Sequence, residues 1–282
     1  MDNPIGIFDS GIGGLTVVKQ LIRILPDEHL VYFGDTARLP YGTKSEKLIK
    51  QFALEDAAFL EQFGIKYLVV ACNSASSVAV ELLQTSRNIP VTGVIEPGVM
   101  AALKNTKNKR IGVIGTTATI MSDAYHKKIM EMDPGVKVFG QPCPLLVPLV
   151  EEGWLEDDIT RLTVQKYMAP LLANKIDTLI LGCTHFPVIK DLIQDEVGAG
   201  IRLIDSGEET ALVVKDKITA LGIRRKPGAR GEVQFYVSDI PKKFDEVGTR
   251  FLGHPLVNAR RVDFDNFIIS RGDKIYSPLE TA

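Results

Sequence analysis

The segment Leu68-Val-Val-Ala-Cys-Asn73 decides the fold, because a second segment of the same kind, Leu179-Ile-Leu-Gly-Cys-Thr184, follows about 110 residues later. In each segment, an apolar run without polar alternation leads into a cysteine. Such runs are typical of strands that are covered on both faces, as in a parallel sheet. The chain has only three cysteines, so their recurrence after the same type of strand indicates a duplicated unit.

The repeated pattern extends outward from these two segments. Ile5-Gly-Ile-Phe-Asp-Ser-Gly11 is echoed by Ile111-Gly-Val-Ile-Gly-Thr-Thr117, and Val94-Ile-Glu-Pro97 is weakly matched by Leu203-Ile-Asp-Ser206. Short apolar runs predict four strands in each unit: Ile5–Phe8, Leu30–Phe33, Tyr67–Ala71, Val91–Ile95, Arg110–Ile114, Val136–Phe139, Thr178–Leu181 and Ile201–Ile204.

Amphipathic helices are predicted between the strands. Leu15–Leu25 has apolar residues at helical spacing, and so does Ser45–Phe63, which we expect to begin with a capping box at Thr43 and to stop at Gly64. Alternation of strands and helices predicts an α/β fold. We expect two similar α/β units with largely parallel sheets, which face each other about a pseudo-twofold axis.

The domain boundaries follow from composition. A Lys-rich turn at Lys104–Arg110 separates the units, and a helix over Glu208–Leu221 leads to a basic, Gly/Pro-containing segment and a ninth strand, Val233–Val237. We expect this tail to pack back on the first unit. The predicted domains are therefore residues 1–97 plus 208–282, which form a discontinuous first domain, and residues 98–207, which form the second.

Bulk composition narrows the class of protein. Of the 282 residues, 45% are hydrophobic and 24% are charged, which is typical of a globular chain with a large core. A net charge of −2 gives no indication of nucleic acid or an anionic membrane as a partner. Three cysteines do not make a disulfide framework, and neither a signal peptide nor an apolar run of roughly 18 residues is apparent. These features predict a cytoplasmic protein.

Polar segments follow four of the predicted strands, where ligands bind in open parallel sheets. They are Asp9-Ser10-Gly11, Asp35–Gly42, Cys72-Asn73-Ser74 and Cys183-Thr184-His185. A cysteine at a helix N-terminus can have its thiol pKa lowered from about 8.5 toward neutrality. A thiolate then acts as a base and a thiol as an acid. If the units face each other, Cys72 and Cys183 reach opposite faces of one substrate carbon, which is a geometry suited to racemisation.

Further residues are candidates for the same site. Asp9 and His185 could transfer protons to and from the sulfurs. On composition alone, Glu151 and Glu152 are interpreted as surface acids. Four short polar side chains could hold a substrate carboxylate: Ser10, Asn73, Ser74 and Thr184. The loop that contains Tyr41 and Gly42 could pass close to the substrate. Cys143, flanked by two prolines, is assigned to structure. No metal site, phosphate loop or cofactor motif is apparent.

Two other classes of protein compete with this interpretation. A dinucleotide-dependent oxidoreductase would explain Gly11-x-Gly13 and Asp35, although the third small residue of that fingerprint falls on Thr16. A two-domain binding protein would need the cleft but not the thiols. Single buried cysteines are ordinarily small hydrophobic residues, but the matched pair favours catalysis.

Five ordered segments, spread over nearly the whole chain, resemble those of bacterial glutamate racemases. They are Gly6-Ile-Phe-Asp-Ser-Gly-Ile-Gly-Gly14, Pro40-Tyr-Gly42, Ala71-Cys-Asn-Ser-Ala-Ser76, Cys143-Pro-Leu-Leu-Val-Pro-Leu-Val-Glu151 and Gly182-Cys-Thr-His-Phe-Pro187. The resemblance implies two facing α/β domains with the active site between them. It also implies cofactor-independent interconversion of L- and D-glutamate, which supplies peptidoglycan synthesis, by a homodimer. Aspartate racemase, or another two-cysteine racemase, is the alternative within this class.

The resemblance also implies residue roles. Cys183 would deprotonate L-glutamate and Cys72 would deprotonate D-glutamate, with Asp9, His185 and Glu151 as assistants. The implied substrate contacts are Asp9, Ser10, Tyr41, Gly42, Asn73, Ser74, Thr184 and His185, and Thr116 and Thr119 are weaker candidates. Two positions depart from the usual pattern, since Ser74 stands where a threonine is common and Leu146 where a phenylalanine is common.

Overall fold

The computed structural model describes residues 2–240, 244–256 and 258–280. Within them the strands form two sheets, and every strand pairing is parallel. The strands are β1 (Ile5–Asp9), β2 (Leu30–Gly34), β3 (Tyr67–Val70), β4 (Val91–Gly93), β5 (Arg110–Gly115), β6 (Lys137–Pro142), β7 (Thr178–Gly182), β8 (Arg202–Asp205), β9 (Val233–Val237) and β10 (Arg260–Arg261).

Helices connect the strands and cover both sheets. They are α1 (Leu15–Ile24), α2 (Glu46–Glu61), α3 (Asn73–Ser86), α4 (Ile95–Asn105), α5 (Thr117–Met121), α6 (Ala124–Met132), α7 (Leu146–Glu151), α8 (Asp158–Ala173), α9 (Lys190–Val197), α10 (Ser206–Ala220), α11 (Phe244–Leu252) and α12 (Phe264–Glu280), with 3₁₀ turns at Tyr41–Thr43 and Phe186–Ile189.

The strand orders reveal the duplication. The first sheet runs β10-β9-β2-β1-β3-β4, and the second runs β6-β5-β7-β8. The order β2-β1-β3-β4 is thus the same as β6-β5-β7-β8. Each unit places its cysteine directly beyond the third of its four strands in chain order. The predicted α/β fold with two parallel sheets is confirmed.

The cores explain why the strand sequences lack polar alternation. Both faces of the first sheet are apolar, with α2, α3 and α12 on one side and α1, α10 and α11 on the other. The second sheet lies between α4 and α6 on one side and α7, α8 and α9 on the other. One apolar cluster continues from the first sheet into the second and includes Leu15, Leu181 and Phe251.

Several element boundaries differ from the sequence prediction, and at three of them a hydrogen bond from a polar side chain gives the reason. The strand predicted over Val91–Ile95 ends at Gly93, where the next N–H bonds to the Ser76 hydroxyl at 3.1 Å. The predicted Thr43 cap is wrong, since Ser45 Oγ accepts the hydrogen bond from the Leu48 N–H at 3.4 Å. Helix α10 begins at Ser206 rather than Glu208, because Asp205 caps it.

The C-terminal tail contributes to the first sheet. Strand β9 pairs with β2 and β10 pairs with β9, while α11 contacts α1 and α12 contacts α2. The domain limits at residues 97 and 207 stay a prediction. Among the described residues, no helix combines the length and the apolar character that crossing a membrane would need.

Candidate active site

The two cysteines occupy equivalent positions beyond β3 and β7. Cys72 is the N-cap residue of α3, whereas Cys183 precedes a 3₁₀ turn. Both thiols are free, and each residue is only 5% exposed. Cys72 Sγ lies 3.6 Å from Ser10 Oγ, and Cys183 Sγ lies 3.8 Å from Nδ1 of His185. Each sulfur therefore has a polar partner at the carboxyl end of its sheet.

The loop after β1 joins the surroundings of the two sulfurs. Ser10 contacts Cys72, while the neighbouring Asp9 accepts a hydrogen bond from Thr184 Oγ1 at 3.5 Å. Thr16 Oγ1 donates to the Thr184 carbonyl at 2.9 Å. The carboxyl ends of both sheets consequently meet at this loop, with Cys72 on one side of it and Cys183 on the other.

Gly13 makes this close approach possible. A Cβ atom at this position would lie 2.3 Å from Thr184 Oγ1 and 2.6 Å from His185 Cε1. Real Cβ atoms essentially never approach other atoms so closely. The glycine-rich loop of the first unit thus packs directly on the loop that carries Cys183, which a side chain would prevent.

His185 is held between its cysteine and Glu151. Its Nε2 lies 2.9 Å from Glu151 Oε1, although the Glu151 side chain is 34% exposed and the imidazole is buried. From the tail, Phe251 packs edge-on against the imidazole with ring centroids 5.0 Å apart. Arg250 Nη1 donates to the carbonyls of Val150 and Glu151 at 3.1 and 3.2 Å, and so provides a hydrogen-bond donor for carbonyl groups at the C-terminal end of α7.

The electrostatic surroundings of the site are asymmetric. Burial raises the pKa of Cys72 to about 12, and the nearby Asp9 carboxylate adds to this effect. Burial lowers the pKa of His185, but hydrogen bonds with Cys183 and Glu151 outweigh it and raise the value to about 10. Burial also raises the pKa of Asp9, while His185 opposes that shift. The expected lowering of the pKa is therefore wrong for Cys72, because burial outweighs the hydrogen bonds with Ser10 and the Ala75 N–H that lower it.

The predicted hydroxyl side chains come together across the two units. Ser74 Oγ lies 2.9 Å from Thr116 Oγ1 and 3.4 Å from Thr119 Oγ1. The side-chain oxygen of Asn73 accepts a hydrogen bond from Tyr125 at 2.7 Å. Residues that follow β3 are thus joined to residues that follow β5.

Tyr41 and Gly42, both predicted to contact the substrate, have different surroundings in the structure. The Tyr41 hydroxyl is buried, lies 2.9 Å from Asp56 Oδ2 and also hydrogen-bonds Asp35, so its side chain serves a buried network. A Cβ atom on Gly42 would lie 2.7 Å from Thr116 Cβ. Gly42 therefore lies against the hydroxyl cluster, and a substrate contact by Tyr41 stays a prediction for its backbone.

Asp35 and Thr16, which bear on the alternative of a dinucleotide site, both form hydrogen bonds within the protein. Asp35 is buried and hydrogen-bonds Arg38, Tyr41 and Ser238, so its carboxylate is engaged within the protein. Thr16, at the position of the third small residue, joins the two units. Cys143 is buried as well, and its thiol donates to the carbonyl of Gln141 at 3.4 Å.

Sequence reasoning missed three residues that shape the site. Tyr125, Arg250 and Phe251 belong to no motif, and they reach the site only through the packing of α6 and α11. Over the described ranges, no group of three or more His, Cys, Asp or Glu residues is arranged to hold a metal ion.

Comparisons with known proteins agree with this arrangement. The Asp/Glu/hydantoin racemase family matches residues 5–213. A glutamate racemase from Geobacter metallireducens is 48% identical over 93% of this chain and 97% of the relative. A solved glutamate racemase isoform from Bacillus anthracis superposes with a TM-score of 0.89 at 40% identity, covering 93% of this chain and 97% of that one.

A third relative was solved with a ligand. The glutamate racemase from Francisella tularensis, in complex with D-glutamate, has a TM-score of 0.88 and 40% identity over 94% of this chain and all of that chain. The paired cysteine loops, the duplicated parallel sheets and these matches define the class: the chain belongs to the Asp/Glu/hydantoin racemase family and is an amino-acid racemase. Within that family it is similar over most of its length to glutamate racemases.

Proposed function

We propose that this protein interconverts L- and D-glutamate by a two-base mechanism in which Cys72 and Cys183 act on opposite faces of Cα. The observation that carries the proposal is the loop after β1, which contacts Cys72 through Ser10 and the Cys183 loop through Asp9. Relatives that are similar over nearly the full chain are named glutamate racemases, which supports glutamate as the substrate.

In the L-to-D direction, the Cys183 thiolate removes the Cα proton and becomes a thiol. The electron pair left on Cα is delocalised into the α-carboxylate group. The Cys72 thiol then donates its proton to the opposite face and becomes a thiolate. The raised pKa of Cys72 supports this assignment, because it keeps that sulfur protonated and ready to donate at neutral pH.

His185 supports the other half of the reaction. With a pKa raised to about 10, the imidazole is protonated at neutral pH, and its Nδ1 lies 3.8 Å from Cys183 Sγ. A neighbouring imidazolium stabilises a thiolate, and Glu151 holds the ring in place through Nε2. In the D-to-L direction the roles reverse: the enzyme form left by the L-to-D step has a Cys72 thiolate and a Cys183 thiol, and in this form Cys72, beside Asp9, removes the proton from D-glutamate while Cys183 donates one to the opposite face.

Substrate binding falls to the polar groups around the two sulfurs. The N-terminus of α3, which begins at Asn73, offers backbone N–H groups to a carboxylate. Hydroxyl and amide groups add hydrogen bonds from both units. The proposed contacts are Asp9, Ser10, Gly42, Asn73, Ser74, Thr184 and His185, with the backbone of Tyr41.

We place the enzyme in the cytoplasm, where its D-glutamate would supply peptidoglycan synthesis and so maintain cell wall and cell shape. Three free thiols fit a reducing compartment. We propose a homodimer, as the family resemblance implies, and a reaction without a cofactor.

Replacement of single cysteines tests this function. Cys72→Ser and Cys183→Ser should each lower the racemisation rate of L-glutamate by on the order of 10²–10⁴-fold, because each removes one acid–base group. Circular dichroism of the amino acid, starting from either enantiomer, measures the rate. Cys143→Ala is the matched control and should keep its activity, since that thiol lies in a different buried setting.

Two outcomes would contradict the proposal. The two-cysteine mechanism fails if either active-site serine variant racemises glutamate at the wild-type rate. The substrate assignment fails if the wild type racemises L-aspartate faster than L-glutamate.

A further inference from the structure

We propose that Tyr125 is a positioning residue, whose hydroxyl fixes the orientation of the Asn73 side-chain amide that receives the substrate. This inference rests on the proposed function, because it assigns Asn73 to substrate binding. Tyr125 itself does not act on the reacting atoms. It acts through Asn73, the residue that directly follows Cys72.

Tyr125 is anchored in the second unit and reaches into the first. Its ring is buried, and a Cβ atom on Gly182, the residue before Cys183, would lie 3.1 Å from Tyr125 Cε2. Its hydroxyl lies 3.2 Å from Ser206 Oγ at the start of α10 and donates to Asn73 Oδ1 at 2.7 Å. One side chain thus links the strand that carries Cys183 to the residue beside Cys72.

The direction of the Tyr125–Asn73 hydrogen bond determines what the amide can offer a ligand. A side-chain amide has an acceptor oxygen on one branch and two N–H donors on the other. Because the phenol donates to the oxygen, the N–H donors point away from Tyr125. Donors, rather than an acceptor, are what an anionic carboxylate requires.

The phenol remains a donor throughout the neutral pH range. Burial raises the pKa of Tyr125, and negative charge at Cys183 acts in the same direction, while the contact with the Ser206 hydroxyl only partly opposes them. The single proton of the neutral Tyr125 hydroxyl is donated to Asn73 Oδ1 at 2.7 Å, while the Ser206 hydroxyl donates to the Leu181 carbonyl at 3.2 Å. The amide therefore has one preferred orientation before substrate arrives, which lowers the entropic cost of binding.

The test is Tyr125→Phe, which removes only the hydroxyl. We expect KM for both glutamate enantiomers to rise by about tenfold while kcat stays within about threefold, because binding lost equally in ground and transition states changes KM alone. The control is Tyr67→Phe, which removes another buried hydroxyl, 2.6 Å from Thr92 Oγ1, and should leave both constants unchanged.

A double-mutant cycle separates positioning from a merely structural role. In an Asn73→Ala background, Tyr125→Phe should have no further effect on KM, because its only route to the substrate is gone. Additive effects of the two substitutions on KM would overturn the proposal, and so would an unchanged KM in the single variant. Calorimetric glutamate binding by the Cys72→Ser/Cys183→Ser protein, with and without Tyr125→Phe, should show the same tenfold loss of affinity.

The outcomes distinguish this inference from the proposed function. A wild type that neither binds nor racemises glutamate overturns the proposed function, and with it the role of Asn73. A wild type that does both, while Tyr125→Phe retains wild-type KM and Kd, overturns only the assignment of Tyr125.

Discussion

At the scale of single residues, His185 carries the positive charge that lies beside Cys183. It is buried, yet its contacts with Cys183 and Glu151 raise its pKa to about 10, so the folded protein holds a proton that the unfolded chain releases near pH 6.5. Cys72 sits beside a carboxylate instead. This contrast gives the two sulfurs different roles in each direction of the reaction.

The raised pKa of His185 predicts how stability depends on pH. A group whose pKa is higher in the folded state stabilises fully below its unfolded pKa, and this contribution is lost as pH rises through the folded value. The proton bound by His185 should therefore lower the free energy of unfolding as pH rises above about 7, but the proton given up by the thiolate partner that the mechanism assigns to Cys183 should offset this fall, so that the pair together contributes little slope up to about pH 8. Urea denaturation at pH 7, 8 and 9 measures this slope.

The variant His185→Gln should therefore keep nearly the wild-type slope between pH 7 and 8, and His254→Gln, at an exposed histidine, is the control. The points at pH 7 and 8 decide the comparison, because the raised pKa of Cys72 lowers stability from about pH 8.5, where the unfolded thiol ionises. A clearly steeper fall in the wild type than in His185→Gln would mean that His185 holds its proton without a thiolate partner, and would refute the ion pairing assigned to this histidine.

At the scale of elements, nine of the ten described strands were predictable, whereas the exposed β10 (Arg260–Arg261) and the helix caps were not. Strands between two helical layers are apolar throughout, so their positions follow from the sequence alone. Helix starts depend on which of several neighbouring polar residues turns toward the backbone, and Ser45 rather than Thr43 caps α2. The position of a residue within a motif does not show where its side chain points. The sequence therefore could not show that the Tyr41 hydroxyl belongs to a buried network rather than to the site.

The part of the site that the internal duplication repeats could be predicted from the sequence. Cys72 and Cys183 could be found because they end matching strands, and their loop neighbours came with them. Helices α6 and α11 supply Tyr125, Arg250 and Phe251 from positions far along the chain. No local pattern distinguishes these residues from ordinary surface or core residues, because their contacts arise only when the two sheets and the tail pack together.

At the scale of the whole molecule, the approach of the two units sets the distance between the catalytic groups. Gly13→Ala should force the β1–α1 loop away from Thr184 and His185, since its Cβ would overlap both. Displacement of about 1 Å can reduce a reaction rate by about 100-fold, so we expect a loss of that order in kcat/KM. The racemisation rate, together with the thermal midpoint, measures it.

Gly200→Ala is the matched control, because a Cβ there meets no atom within 4 Å. It should retain the wild-type rate. Full activity of Gly13→Ala would mean that the close contact between the loops is not needed for catalysis.

The most direct test of the two-cysteine account is racemisation of L-glutamate by the wild type in deuterated water, stopped early and analysed by mass spectrometry of the separated enantiomers. Two bases on opposite faces predict that D-glutamate carries solvent deuterium at Cα, while the remaining L-glutamate keeps its protium. Protium retained in the D-product, or deuterium appearing equally in both enantiomers from the start, would indicate one base serving both faces and would contradict the account.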